Sequence, residues 1–259
     1  GALKYINKFY DISKIKRVIA TSAGSIVGLM ILLDFTLEEM FEFVMDHNFN
    51  EISEDDTILT NISRFSVNFG FFSSIVLENW IIKILSFKKI KLDIKFLEFQ
   101  RLIKKDLILT CTCLNTNELK LMSAEETPDI SIINAIKIAM SLPFVFEPVI
   151  LDNIFYVDGA LISNYPFEIV YKYDPDLKST LGFNLYSDIH RENKIYGLIG
   201  YIDSIVKSIT AHQNKKYSNT IMINTKDITT VDFNISDDQK YKLFGRGYRA
   251  ARDYLKKNS

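Results

Sequence analysis

Lys16-Arg17-Val18-Ile19-Ala20-Thr21-Ser22-Ala23-Gly24-Ser25-Ile26-Val27 sets a short apolar run against a cluster of small residues, then against an apolar stretch that continues to Leu33. Val18 and Ile19 predict the end of a buried strand, and 26–33 predicts an apolar helix. Ser22 is thereby put on a sharp strand-to-helix turn whose neighbours leave the backbone room to bend. This is the design of a nucleophile elbow, G-x-S-x-G in its usual form, with Ala20 at the first small position and Gly24 at the second. Alanine keeps the small size and gives up some backbone freedom. A serine hydroxyl is a weak nucleophile until a base takes its proton, and its attack creates an oxyanion that needs pre-aimed donors. At such a turn the N–H of Ala23 can point at that oxygen, and a helix starting near Gly24 adds its positive end. The same residues also suit a plain tight turn with a helix cap, so the rest of the chain has to supply a base.

The three histidines are the first candidates. His47 lies beside Asn48 and Asn50, His190 in the polar run Asp188-Ile189-His190-Arg191-Glu192, and His212 next to Gln213, Asn214 and Lys215. None follows a buried strand end, where an α/β enzyme holds a rigid catalytic group, and each reads as a solvated surface histidine. Asp158 differs, because Ile154-Phe155-Tyr156-Val157 delivers it at the end of an apolar strand, directly before Gly159. Partial shielding there would raise its pKa and make it a better base near neutral pH. Gly159 can take backbone angles closed to other residues. An Asp-Gly turn between two strands explains the same pair.

Totals narrow the class. The chain has 259 residues, 47% of them hydrophobic, which suits one α/β domain spanning 1–259. With 31 basic and 32 acidic residues, net charge −1, no global field favours nucleic acid. Cys111 and Cys113 alternate onto one strand face, a poor disulfide geometry, and no Cys/His set suggests a metal. No organic cofactor is implied. Gly1-Ala2-Leu3-Lys4-Tyr5 lacks the apolar core of a secretory signal, and 18–33 is too short and too interrupted for a membrane span. The expected location is cytoplasmic or peripheral at membranes.

A helix is expected over 2–10, leading into the elbow strand. Thr36-Leu37-Glu38-Glu39 reads as a capping box before another helix. Residues 51–66 are polar and poorly periodic, and read as a surface loop. The dense apolar stretch 69–87 reads as a core helix, with a mobile cap that meets lipid as the other use of such residues. Residues 107–113 and 118–122 alternate like paired strands. Pro128-Asp129 opens a helix over 132–140 that Pro143 stops. Strands follow at 154–157, 180–186 and 220–224, with a long helix over 196–218 and a last helix capped at Ser236. Strands separated by helices imply a mostly parallel sheet covered on both faces, a three-layer α/β/α arrangement.

Taken together these motifs resemble the patatin-like phospholipases, lipid acyl hydrolases that use a Ser-Asp dyad without histidine. Ala20-Thr21-Ser22-Ala23-Gly24-Ser25 is similar to the family's G-T-S-A-G-S, which implies Ser22 as nucleophile. Asp158-Gly159-Ala160 is similar to its D-G-A/G motif, which implies Asp158 as base. Ala139-Met140-Ser141-Leu142-Pro143-Phe144-Val145-Phe146-Glu147-Pro148 resembles the small-residue helix end and P-x-x-F-x-P between them. Asn164 and Pro166 fit as well, and the tail from Phe233 to Ala251 resembles the closing segment of bacterial and large-virus members. The resemblance implies a phospholipase A or lysophospholipase working through an acyl-enzyme, a phospholipid or other lipid ester as substrate, and peripheral membrane contact. It also implies a first strand and glycine-rich oxyanion loop just upstream of Gly1. On that basis the chain is expected to be incomplete at its N-terminus, with an open sheet edge near the elbow and weakened activity. Two rival readings remain at this point, a catalytically silent lipid-binding or scaffold protein on the same fold, and an α/β-hydrolase with a histidine triad.

Overall fold

The computed structural model describes residues 1–46, 58–187, 200–202, 204–205, 208–209, 217–226, 228 and 233–258. The chain runs through α1 (Ala2–Ile6), a 3₁₀ turn (Ile12–Lys14), β1 (Arg17–Ala20), α2 (Gly24–Leu32), α3 (Leu37–Asp46), α4 (Ile58–Asn68), β2 (Gly70–Phe72), α5 (Ile75–Phe87) and α6 (Phe96–Ile103). It continues through β3 (Asp106–Cys113), β4 (Glu118–Met122), α7 (Ile132–Met140), β5 (Phe144–Phe146), β6 (Val149–Leu151), β7 (Ile154–Asp158) and α8 (Ala160–Ser163). A second 3₁₀ turn (Phe167–Lys172), β8 (Gly182–Tyr186), β9 (Thr220–Asn224) and α9 (Asp237–Asn258) complete it.

β3 is the strand on which the site is built. Every residue of it from Leu107 onward is buried, so both of its faces are covered. A strand has two hydrogen-bonding edges, and the register assigns them. β4 runs antiparallel along one edge, from Leu109 opposite Met122 to Cys113 opposite Glu118. Leu109 also pairs with Ala20, and Cys111 also pairs with Asp158, so β1 and β7 share the other edge. β1 is parallel beside residues 106–109, while β7 is antiparallel beside 111–113. The two strands therefore run toward each other, C-terminal end to C-terminal end, and stop on either side of Thr110.

The sheet is thus mixed, where a mostly parallel one was expected. The cause is the length of two connections. Four residues join β3 to β4, and Asp152-Asn153 joins β6 to β7 with φ of 50° and 62°. Both are hairpin links, far too short for the crossover a parallel pair needs. Two parallel pairs, β2–β5 and β8–β9, stand apart from this sheet.

Leu107, Leu109 and Cys111 face the main core, where Leu29 of α2, Ile81 and Ile84 of α5, Phe96 of α6 and Ile136 of α7 are buried. Each large aliphatic buried there contributes roughly 1.5–3 kcal/mol. α5 buries Leu77, Trp80, Ile81, Ile84 and Leu85, so most of the apolar stretch 69–87 is a core helix. A smaller cluster joins the two ends of the chain, with Ala2 and Ile6 of α1 against Ile221, Ile223 and Ala251. Cys111 and Cys113 are free and buried.

Three expectations about elements change. Within 51–66, a helix begins at Ile58 in place of a loop. Its Thr, Asn and Ser residues hide the period, and tertiary contact overrides propensity: Phe65 stacks on Phe71 with ring centroids 4.5 Å apart. The first helix ends at Ile6 rather than Tyr10, and the Asn7 side chain accepts from the N–H of Ile12 to turn the chain. The helix over 132–140 is capped by Ser131, which accepts from Asn134 N–H at 3.2 Å, rather than by Pro128-Asp129. The capping box at Thr36 forms in full, Thr36 N–H to Glu39 at 2.8 Å and Glu39 N–H to Thr36 at 3.1 Å. Most of 196–218 lies outside the described residues.

Candidate active site

At the end of β1 the chain turns through Ser22, whose φ of 53° lies in the left-handed region. For a residue with a Cβ this conformation costs about 1–2 kcal/mol. Three hydrogen bonds offset it: Gly24 N–H to Thr21 O at 3.0 Å, Ser25 N–H to Ser22 O at 2.9 Å, and the buried Ser25 hydroxyl to the same carbonyl at 2.6 Å. The Ser22 side chain is left half-buried at the start of α2, with Ala23 and Gly24 exposed beside it. The Ala23 N–H makes no hydrogen bond among the described residues, as an oxyanion donor requires.

The small residues around the turn have unequal reasons to be small. A Cβ on Gly28 would come within 2.6 Å of Val18 Cγ1, so Gly28 is where α2 presses on β1. A Cβ on Gly24 would meet only Ala20 Cβ at 3.8 Å, an ordinary contact. The methyl of Ala20 is therefore accommodated where the elbow pattern has glycine.

Asp158 ends β7 fully buried. Its backbone is fixed on both sides: its N–H donates to Ser141 O at 2.9 Å, and its carbonyl accepts from Thr112 Oγ1 at 3.1 Å. Oδ1 accepts from Ala160 N–H at 2.9 Å, while Oδ2 has no hydrogen-bond partner among the described residues. Burial pushes the carboxyl up from 3.8 to about 7, opposed by the Ser22 hydroxyl and then by the Ala160 N–H. The hydroxyl is thus close enough to act on the carboxyl, yet no closed hydrogen bond ties it to Oδ2. Resting catalytic pairs are commonly this loose before substrate tightens them.

Register gives the spacing. Ala20 and Asp158 sit opposite Leu109 and Cys111, two residues apart along one edge of β3. At about 3.3 Å per residue, the two strand ends lie roughly 7 Å apart. Gly159 has φ −63°, so the expectation that it takes an unusual backbone angle is corrected. Its reason is close approach: a Cβ there would lie 2.3 Å from Thr110 Oγ1 and 2.9 Å from the Thr110 backbone carbon. Thr110 in turn shares a hydrogen bond of 2.6 Å with the Thr21 hydroxyl.

Sequence reasoning passed over Thr110, Thr112, Ser25 and the Ser141 carbonyl. A signal for the threonines was present, since they are polar residues at alternate positions of an otherwise apolar strand. His47, His190 and His212 lie outside the described residues. Among the described residues no group of His, Cys, Asp and Glu could hold a metal. A cavity of about 150 Å³ lies at the other end of β1 and β3, lined by Arg17, Gln100, Asp106 and Tyr173 among others. Arg17 there is paired to Asp106 at 2.5 Å, Gln100 donates to Asp106 at 2.7 Å, and Glu125, which also lines the cavity, pairs with Lys172 at 3.1 Å.

Known proteins resemble this chain over most of its length. A family model described as patatin-like phospholipase matches residues 1–171. An uncharacterized protein of Acanthamoeba polyphaga mimivirus is 28% identical over 98% of this chain and 88% of its own. A protein of Invertebrate iridescent virus 6 named as a probable lipid hydrolase is 25% identical, over 95% of this chain and 81% of its own. A relative in Bacillus subtilis is 24% identical, over 94% of this chain and 89% of its own. Among solved structures, VipD from Legionella pneumophila superposes with a TM-score of 0.63 at 14% identity, covering 99% of this chain and 64% of VipD. The chain thus spans just under two thirds of VipD, and the likeness speaks to the fold. No helix among the described residues is long and apolar enough to cross a membrane.

Proposed function

The chain belongs to the patatin-like phospholipase family, and on that premise we propose that it is a serine acyl hydrolase of lipid esters, of phospholipase A or lysophospholipase type. Ser22 is the nucleophile and Asp158 its base. The Asp158 carboxylate takes the Ser22 proton as Oγ attacks the ester carbonyl carbon, and the Ala23 N–H receives the developing oxyanion. The bond to the alcohol breaks, and the alcohol leaves with the proton from Asp158. Water then gives a proton to Asp158, attacks the acyl-serine and releases the fatty acid, and Ser22 regains its proton. No step calls for a metal or an organic cofactor. The reading treats 1–259 as one acyl hydrolase domain with the family's three-layer arrangement.

One observation carries this reading. β1 and β7 end on either side of Thr110, which brings the turn at Ser22 to a fully buried carboxyl whose Oδ2 has no hydrogen-bond partner among the described residues, and burial pushes that carboxyl up to about 7. A buried acid that titrates near neutrality beside a strained serine is what an unassisted Ser-Asp pair requires. One ground for the silent alternative is Ala20 in place of glycine, and that methyl packs in ordinary contact beside Gly24.

Peripheral contact with a membrane has a physical basis on the same reading. Phe69 and Phe144 hold φ of 64° and 69°, a conformation bulky residues avoid, and they are 56% and 41% exposed. Their backbones are neighbours, because Gly70 pairs with Phe144, while the Phe69 ring meets Phe155 and the Phe144 ring meets Phe65. Three steps along the chain, at most about 11 Å, lead from Ser141, whose carbonyl holds the Asp158 N–H, to Phe144. Two strained, exposed rings beside the acyl site suit a lipid surface.

Ser22→Ala decides the assignment. Hydrolysis of a short-chain ester is expected to fall more than about 10³-fold, and fluorophosphonate labelling at position 22 to vanish. Undiminished turnover would defeat it.

A further inference from the structure

We propose that Thr110 is a positioning residue that sets the distance between Ser22 and Asp158, holding the serine turn through Thr21 and the aspartate turn through Gly159. The inference rests on the dyad reading above and goes beyond it to a residue that touches no substrate. β1 and β7 approach each other along one edge of β3, so no backbone ladder crosses the gap between their ends. What spans that gap is the side chain of the β3 residue that lies in it.

Thr110 is fully buried, and it meets both turns with different atoms. Its hydroxyl shares the 2.6 Å hydrogen bond with Thr21, the residue directly before Ser22. Its Oγ1 and Cβ fill the space where residue 159, directly after Asp158, would carry a side chain, at 2.3 and 2.8 Å from an ideal Cβ. Thr112, two residues along the same strand face, fixes the Asp158 carbonyl at 3.1 Å. Both halves of the dyad are thus referred to one rigid strand. Such support matters because a misplacement of about 1 Å in a reacting pair can cost 10²-fold in rate.

Thr110→Val keeps the shape and removes the hydroxyl, and Thr110→Ser does the reverse. Both are made alongside Ser22→Ala, with kcat and KM on a soluble ester, the fluorophosphonate labelling rate at Ser22, and thermal melting as readouts. Thr110→Val is expected to lose roughly 10–100-fold in kcat with KM within about twofold, and labelling to slow in parallel. Thr110→Ser should stay within about threefold of the parent in both. If Thr110→Val does not fold, Thr21→Val removes the same hydrogen bond from its other end and carries the same expectation. Parental kcat and labelling in the valine variant would overturn the proposal, as would an equal loss in the serine variant. Ser22→Ala separates the failures: if it stays active the dyad reading is wrong, and if it is dead while Thr110→Val is unaffected the clamp alone is wrong.

Discussion

Replacing Asp158 by asparagine tests the buried carboxyl through two pH dependences of opposite sign. A carboxyl whose folded pKa lies above its unfolded value binds its proton more tightly in the native chain. Its contribution to stability is therefore full below about pH 4 and is lost as the pH rises through the folded pKa. For Asp158 the rise from 3.8 to about 7 is worth about 4 kcal/mol, at about 1.4 kcal/mol per pH unit. Of this, about 2–3 kcal/mol disappears between pH 5 and pH 8. On the proposed mechanism catalysis runs the other way, since only the ionised form could accept the Ser22 proton. kcat/KM should climb about tenfold per pH unit below 7 and level off above it. The amide introduced by Asp158→Asn stays neutral throughout, while its carbonyl oxygen can still accept from Ala160 N–H. The assay is denaturant unfolding of parent and Asp158→Asn from pH 5 to pH 8, with kcat/KM of the parent over the same range. The variant should gain about 2–3 kcal/mol on the parent across that range and lose nearly all turnover. A parent activity profile already flat at pH 5, or unfolding curves of parent and variant that move in parallel, would refute the argument that burial sets this pKa.

Gly159→Ala would drive a methyl into Thr110, partly against backbone that cannot step aside. Overpacking of this kind costs about 1–3 kcal/mol, and thermal melting together with esterase activity should both fall. Phe69→Asp with Phe144→Asp should weaken co-sedimentation with phospholipid vesicles and hydrolysis of vesicle lipid, leaving a soluble ester turned over at the parental rate. Loss of both activities alike would count against a membrane role for those rings. Phe69→Gly relieves a left-handed conformation, so chemical denaturation should show a gain of about 1 kcal/mol, less whatever ring contact is lost.

How far the site could be read from residues alone depends on how local its parts are. The sharp turn at Ser22 was legible because such a turn needs small residues within two positions of its centre, and that demand is written in consecutive letters. Asp158 was legible as a strand-end acid, but not as the partner of Ser22 without the family resemblance, because an Asp-Gly turn has the same letters. Their meeting depends on Ala20 finding Leu109 and Asp158 finding Cys111 on one edge of β3. Such a register is set by packing between segments some ninety and fifty residues apart, and an apolar run does not record which way its neighbour points. That is also why the sheet looked parallel. Strands spaced by helices suggest crossovers, whereas the link Asp152-Asn153 sets β6 against β7 and the register with Cys111–Cys113 sets β7 against β3. The antiparallel approach that the sequence hid is the feature that brings the turn at Ser22 and the turn at Asp158 together. Running with β3, β7 would carry residue 158 away from Thr110 and away from the serine turn, whereas running against it brings the acid back to the level at which β1 ends.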